Sequence, residues 1–166
     1  MTIKTLKIWD VEDPYGRGSS VDKLYAFQDQ IAGEYDGDLA HLIGYEGGGG
    51  VAWLNVICSK SYGMAYSGIG SWYGDVPNYS WTVDVMAHEA GHNLGAHHSH
   101  DCVWGPQGNK AIDCCGAEAG YNSCSGGCNA DVDFPENGGT VMSYCHLNHK
   151  KDFVEGFHPW TAERML

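Results

Sequence analysis

The chain has 166 residues, and 43 % of them are hydrophobic, which is enough for the core of one domain. It carries 9 Lys and Arg against 21 Asp and Glu, a formal net charge of −12. This charge argues against binding to nucleic acid, and no apolar run reaches the roughly 20 residues of a membrane span. We therefore expect neither a nucleic-acid partner nor membrane insertion.

Short secondary-structure elements are predicted along the first half of the chain. Ser19 followed by Asp22 is an N-cap signature, and apolar residues then recur at helical spacing until the glycines at 33 and 37. Short β-branched or apolar runs predict strands at 3–11, 39–44 and 51–58, whereas 62–74 reads as a strand or a loop.

The second half is predicted to contain one long helix followed mostly by loop. Residues 80–94 have a helical pattern, and Gly95 stands where a left-handed C-cap would fall. Gly, Asn, Asp and Cys dominate 99–139, which favours irregular structure. A last short helix is predicted to begin near Pro159.

Seven cysteines are many for a chain in a reducing compartment. Six of them crowd the second half, which is typical of a disulfide-stapled loop region in an exported protein. The alternative is a zinc ribbon, but adjacent cysteines do not give the paired spacing that such a site needs. No signal-peptide pattern follows Met1, so we expect a secreted form to derive from a longer precursor.

The odd number of cysteines leaves at least one thiol unpaired, and Cys58, alone in its apolar run, is the candidate. For the others we expect a Cys102–Cys145 disulfide, and Cys115 paired with Cys124 or Cys128.

The most informative segment is 88–98, which reads HEAGHNLGAHH. On a helix, His88 and His92 lie one turn apart on one face and can bind the same ion. Gly95 allows the chain to turn back, so that His98 supplies a third imidazole. His97 is the alternative third ligand if that turn is tighter.

Three neutral imidazoles on Zn²⁺ leave a fourth position open, which is the mark of a catalytic rather than a structural zinc site. Glu89 follows the first ligand and can reach a water molecule at that position as general base. The extended motif therefore predicts a zinc hydrolase. The alternative that these histidines are ordinary surface or core residues does not explain their fixed spacing.

The segment 88–98 matches every defined position of the motif HExxHxxGxxH, and the chain thereby resembles the metzincin zinc metalloproteases. Met142 in the sequence VMSY resembles the Met-turn of that clan, as a soft apolar residue beneath the ion. The stretch 138–146 is most similar to bacterial reprolysin-like (adamalysin-related) enzymes. Ser99 after the third histidine is more like the matrixins.

This resemblance implies an α+β fold for one catalytic domain, 1–166. A twisted mixed sheet with a long active-site helix (about 1–98) would lie over a smaller, irregular, disulfide-rich lower half (about 99–166). In such enzymes an edge strand pairs with the substrate, and the matching residues here would be Gly50, Val51 and Ala52. An ordinary buried strand is the alternative. Tyr144 matches a tyrosine that astacins use as a displaceable ligand or oxyanion partner, with a packing role as the alternative.

The function predicted from these residues is that of a secreted, monomeric zinc endopeptidase acting on proteins or peptides. Two alternatives are a binding module with structural zinc and a zinc hydrolase of non-peptide amides or esters. An acidic cluster of Asp131, Asp133 and Glu136 is a candidate Ca²⁺ site, although its spacing lacks the full ligand series of an EF-hand loop and favours a solvated loop.

Overall fold

A computed structural model describes residues 2–45, 48–71, 79–121, 123–124 and 134–166. It contains four α-helices and three β-strands among these residues. The helices are α1 (Ser20–Ile31), α2 (Trp81–Asn93), α3 (Cys115–Glu118) and α4 (Pro159–Arg164), and the strands are β1 (Ala40–Gly44), β2 (Gly50–Ala52) and β3 (Met64–Gly68). The predicted α+β class is confirmed.

The sheet is small and mixed, with the strand order β1-β3-β2. The central strand β3 runs parallel to β1 and antiparallel to β2. Every residue of β3 is buried, because helices cover both of its faces. This leaves β2 as an edge strand among the described residues.

One face of the sheet packs against α1. Ser19 begins this helix with a complete capping box, in which its hydroxyl accepts from the backbone N–H of Asp22 and the Asp22 carboxylate accepts from the backbone N–H of Ser19. Leu24 and Phe27 of α1 then pack against buried residues of the sheet, including Tyr66. The predicted N-cap is therefore confirmed.

The other face of the sheet packs against α2, which is fixed at its C-terminal end by the chain that follows β2. The Asn93 side-chain amide donates to the carbonyl oxygens of Trp53 and Met64, at 2.8 and 3.0 Å. The backbone N–H groups of Asn55 and Val56 donate to the carbonyls of His92 and Asn93. These bonds fix the C-terminal end of α2 against the chain that follows β2 and against β3.

Two predicted strands were wrong. The run 51–58 is a strand only as far as Ala52, because the backbone then turns to cap α2, with positive φ at Asn55 and Cys58. The run 3–11 has no strand pairing with any described residue, and most of its apolar side chains are exposed, with Ile8 at 78 %, whereas Trp9 packs against the core. The described residues place no neighbouring strand beside this run, and water can satisfy its exposed backbone.

Disulfides staple the second half, but in a different pattern from the one predicted. The pairs formed among the described residues include Cys102–Cys124 and Cys115–Cys145. The sulfurs of Cys102 and Cys124 lie 3.0 and 3.7 Å from the Asn109 carbonyl oxygen. Cys58 is free, as predicted, and its side chain is exposed. None of the described helices is both long and apolar enough to cross a bilayer.

The buried His41 on β1 gives the fold a testable pH dependence. Its Nε2 lies 2.8 Å from the Ser67 hydroxyl, and burial lowers the pKa of His41 from 6.5 to about 4. The unfolded chain therefore binds a proton more readily than the folded one between these values, and stability falls as the pH decreases through this window. Between pH 7 and pH 5 this one group costs about 2 kcal/mol of the free energy of unfolding.

We expect the variant His41→Gln, which keeps a hydrogen-bonding amide but cannot be protonated, to lose less stability between pH 7 and pH 5 than the unsubstituted protein. Urea unfolding of the metal-free proteins at both pH values measures the difference. An equal loss in both proteins would contradict the assignment of this acid sensitivity to His41.

Candidate metal centre

The centre is built on the C-terminal half of α2, which carries His88 and His92 one turn apart on the same face. The helix ends at Asn93, and Gly95 follows with φ +101°, a left-handed conformation that favours glycine. The backbone N–H of Ala96 then donates to the carbonyl of Gly91, so the chain folds back against the helix. This turn delivers His98 to the same side as the helical pair.

The three imidazoles converge. One ring nitrogen from each of His88, His92 and His98 lies within 4.8 Å of the other two. The closest pair is Nε2 of His92 and Nε2 of His98, at 3.1 Å. The ring centroids of His88 and His92 are 4.8 Å apart, and those of His92 and His98 are 4.6 Å apart.

Backbone carbonyls orient the two helical rings. Nδ1 of His88 lies 2.8 Å from the carbonyl oxygen of Val141, and Nδ1 of His92 lies 2.6 Å from that of Ala96. A carbonyl only accepts, so Nδ1 carries the hydrogen in each ring and Nε2 keeps its lone pair. These are the partners that fix the tautomer of a metal-binding histidine.

The backbone of His98 is held from both sides. Its N–H donates to the Asp101 carboxylate at 3.0 Å, and its carbonyl accepts from the indole N–H of Trp104 at 2.8 Å. The next residue, Ser99, donates its N–H to the Met142 carbonyl at 3.0 Å. The third ligand therefore rests on the turn that contains Met142.

All three histidines are held in the neutral form that binds metals. Burial lowers the pKa of His88 well below its ordinary value, and the neighbouring His92 and His98 add to this effect. Burial also lowers the pKa of His92, and it lowers that of His98 to about 3. Neutral imidazoles offer a lone pair without first losing a proton.

This donor set fits Zn²⁺. In a tetrahedral site with Zn–N bonds of about 2.0–2.1 Å, two ligand nitrogens lie about 3.3 Å apart, close to the 3.1 Å between His92 and His98. Three imidazoles without a fourth protein ligand are the donor set of catalytic rather than structural zinc.

Glu89 follows His88 on α2, and only 4 % of its surface is exposed. Its carboxyl group acts electrostatically on Tyr144, whose hydroxyl contacts His98. Its Oε2 is buried and has no hydrogen-bond partner among the described residues. Burial raises the pKa of Glu89 to about 8, the nearby Asp84 raises it further, and Lys151 opposes them. A buried carboxylate oxygen with no protein partner is suited to bind a water molecule or substrate.

The edge strand β2 approaches this carboxylate closely at Gly50. A Cβ at position 50 would lie 2.5 Å from Oε1 of Glu89 and 2.6 Å from its Cγ. Only glycine therefore allows the strand and the carboxylate to occupy these positions together.

The turn containing Met142 lies under the helix. Met142 is fully buried and belongs to a small core with Ala96 and Val141. A Cβ at Gly91 would lie 2.7 Å from the Met142 sulfur and 3.0 Å from the Phe157 ring. Gly91 thus lets the turn approach the helix between the two ligands that the helix carries.

We expect Gly91→Ala to lower the free energy of unfolding by about 1–3 kcal/mol, because overpacking against Met142 outweighs the roughly 1 kcal/mol that alanine gains over glycine in a helix. Urea unfolding of the metal-free protein tests this. A stabilised variant would show that helix propensity wins and that the contact has room to relax.

Tyr144 follows two residues after Met142 and reaches the imidazoles. Its hydroxyl lies 3.0 Å from Nε2 of His98. Burial, with smaller contributions from Tyr121 and Glu89, raises the pKa of Tyr144 above the ordinary tyrosine value. The phenol is therefore neutral and can donate a hydrogen bond at the centre.

Comparison with known families agrees with this geometry. A family model described as Metallo-peptidase family M12 matches residues 1–153. The chain belongs to metallopeptidase family M12. Membership of the M12 family implies zinc-dependent peptide hydrolysis, and the predicted resemblance to zinc metalloproteases is confirmed. The narrower resemblance to the bacterial reprolysin-like branch stays a prediction.

Two mouse proteins are similar to part of this M12 chain. Disintegrin and metalloproteinase domain-containing proteins 1a and 1b of Mus musculus are each 35 % identical to it over 107 residues. The alignments cover 59 % of this chain but only 12 % of each mouse protein. The similarity therefore concerns one region of much longer relatives.

Other histidines of the M12 chain do not join the three ligands. His97, the alternative third ligand, has its Nδ1 3.6 Å from the Asp101 carboxylate instead. His100 is buried and stacks on His98 with ring centroids 5.0 Å apart, so an expected surface position for it was wrong.

The predicted Ca²⁺ site gains no support. Asp131 and Asp133 lie outside the described residues. Glu136 is described, and it joins none of the possible metal-binding groups found among the described residues.

Sequence reasoning missed a buried ion pair next to the centre, formed by Asp84 and Lys151. Asp84 precedes His88 by four residues, so it lies one turn earlier on the same helix face, which is a usable signal. Lys151 lies 67 residues further along the chain than Asp84, and no local pattern marks it.

Proposed function

We propose that this chain is the catalytic domain of a secreted zinc endopeptidase, with His88, His92 and His98 as the zinc ligands and Glu89 as the general base. One observation carries the proposal. Three neutral imidazoles converge, and Glu89, which follows the first of them on α2, carries a buried carboxyl group whose Oε2 has no hydrogen-bond partner among the described residues.

The bound Zn²⁺ would supply Lewis-acid polarisation of the scissile carbonyl and a lower pKa for the attacking water. Glu89 accepts the proton of that water and delivers it to the leaving amine. The buried Oε2 supports this role, since an oxygen without a partner among the described residues is available to accept from a water molecule. The neutral Tyr144 hydroxyl donates a hydrogen bond to the oxyanion that develops on the carbonyl.

The substrate lies along the edge strand Gly50–Ala52. Gly50, Val51 and Ala52 pair with β3 on one side, and the described residues leave the other side of the strand open. An extended peptide can add to such an edge through main-chain hydrogen bonds. The contact between Gly50 and Glu89 supports this placement, since it sets the edge strand directly against the general base.

The cellular setting follows from the cysteines. Disulfides that include Cys102–Cys124 and Cys115–Cys145 hold the lower half, and disulfides persist in oxidising compartments, which supports secretion. We take residues 1–166 as one catalytic domain that acts as a monomer on protein or peptide substrates.

The test is zinc content together with cleavage of a quenched-fluorescent peptide library. We expect about one zinc per chain, loss of cleavage on chelation, and recovery on addition of zinc. A structural zinc site in a binding module would give bound zinc without cleavage. Hydrolysis of esters or simple amides without peptide cleavage would point to the other alternative, and either result would overturn the proposal.

A further inference from the structure

A buried ion pair joins the helix that carries two of the proposed ligands to the segment that follows the Met-turn. Nζ of Lys151 lies 2.7 Å from one carboxylate oxygen of Asp84 and 2.8 Å from the other. Both side chains are almost fully buried, with 1 % and 2 % of their surfaces exposed.

The ammonium group of Lys151 also contacts the carbonyl oxygen that orients His88. Nζ of Lys151 also donates to the carbonyl oxygen of Val141, at 2.8 Å. That oxygen is the one that accepts from Nδ1 of His88, at 2.8 Å. A carbonyl oxygen has two lone pairs, and here one receives the imidazole and the other the ammonium.

The backbone fixes Lys151 against the start of the Met-turn. Gly139 pairs with Lys151 in an isolated parallel bridge. In this bridge the N–H of Gly139 donates to the Lys150 carbonyl at 2.8 Å, and the N–H of Asp152 donates to the Gly139 carbonyl at 3.3 Å. The position of Nζ and the position of the Val141 carbonyl are thus set by one rigid piece of chain.

A contribution to the stability of the fold does not by itself explain why an ion pair is buried here. Removing two charges from water costs several kcal/mol for each ion, and a well-packed apolar pair in the same place is often neutral or stabilising. What an apolar pair cannot do is hold the carbonyl oxygen, because that needs a charged or polar donor.

We propose that Lys151 and Asp84 are positioning residues of the zinc site: Asp84 holds Lys151, Lys151 holds the Val141 carbonyl, and this carbonyl orients His88. The inference rests on the proposed function, since it assumes that His88 binds zinc. Loss of such an outer partner of a metal ligand lowers metal affinity by about 10- to 100-fold.

The experiment measures the zinc dissociation constant of the folded protein by competition with a chromophoric chelator. We expect Lys151→Met to raise this constant by about 10- to 100-fold. The matched control is Lys23→Met, which removes another buried ammonium group, bound to Asp13 and the Gly16 carbonyl away from the centre. It should lower stability but leave the zinc dissociation constant within about twofold of the original.

A double variant keeps the test decisive if Lys151→Met alone fails to fold, since that change leaves Asp84 buried and charged. In Asp84→Leu with Lys151→Met neither charge of the pair remains, and folding should be recovered. A raised zinc dissociation constant in this folded double variant supports the proposal. A constant equal to that of the unsubstituted protein, in either folded variant, overturns it.

Failure of the proposed function would look different. In that case the unsubstituted protein would itself fail to bind zinc in the same competition assay.

Discussion

Replacing Glu89 with Gln is expected to lower kcat for peptide cleavage by about 10²- to 10⁴-fold while zinc stays bound. The amide has nearly the same shape but cannot accept the proton of the attacking water. Glu89 acts on the attacking water and does not orient the metal-binding imidazoles. The carbonyl oxygens of Val141 and Ala96 orient the rings of His88 and His92. Steady-state kinetics with a quenched peptide, together with zinc content, measure both parts of this expectation.

The fold should tolerate the change. Glu89 is 4 % exposed and its Oε2 has no partner among the described residues, so replacing the carboxyl group with an amide does not break a buried hydrogen bond of that oxygen. We expect Glu89→Gln to melt at or above the temperature of the unsubstituted protein. Near-full activity in this variant would show that another group takes the proton and would remove Glu89 from the mechanism.

Replacing Gly50 with Ala is expected to lower kcat/KM by about 10²-fold without loss of zinc. The new Cβ would lie 2.5–2.7 Å from three atoms of Glu89, so the carboxylate has to move. A displacement of about 1 Å in a catalytic group is enough for a loss of this size. The backbone of Gly50 has no positive φ, so alanine brings no strain of its own.

The matched control is Gly37→Ala. A Cβ at position 37 meets nothing closer than 3.5 Å, which is ordinary van der Waals contact. This variant should cleave peptides at the original rate. Equal activity of Gly50→Ala and Gly37→Ala would show that the strand does not hold the carboxylate in place.

The convergence of three histidines was predictable because it depends on local geometry. His88 and His92 need only a helix to share a face, and His98 needs only the reversal that Gly95 permits. The capping box at Ser19 and the final helix at Pro159 are local for the same reason. Each of these elements is decided by interactions within a few residues.

The features that were missed depend on distant parts of the chain. The run 51–58 has strand composition, yet its second half leaves the sheet to bind the last carbonyls of α2. Cys115 pairs with Cys145 because α3 packs beside the turn after Tyr144, which composition cannot reveal. Lys151 meets Asp84 only after the Met-turn has been placed under α2. Tertiary packing decides all three.

The central claim is that three imidazoles bind one zinc ion whose fourth position is open to water and substrate. Zinc K-edge X-ray absorption of the purified protein tests it most directly. We expect three imidazole nitrogens and one further light atom at about 2.0–2.1 Å from the zinc ion. A sulfur ligand at about 2.3 Å, or fewer than three imidazoles, would contradict it.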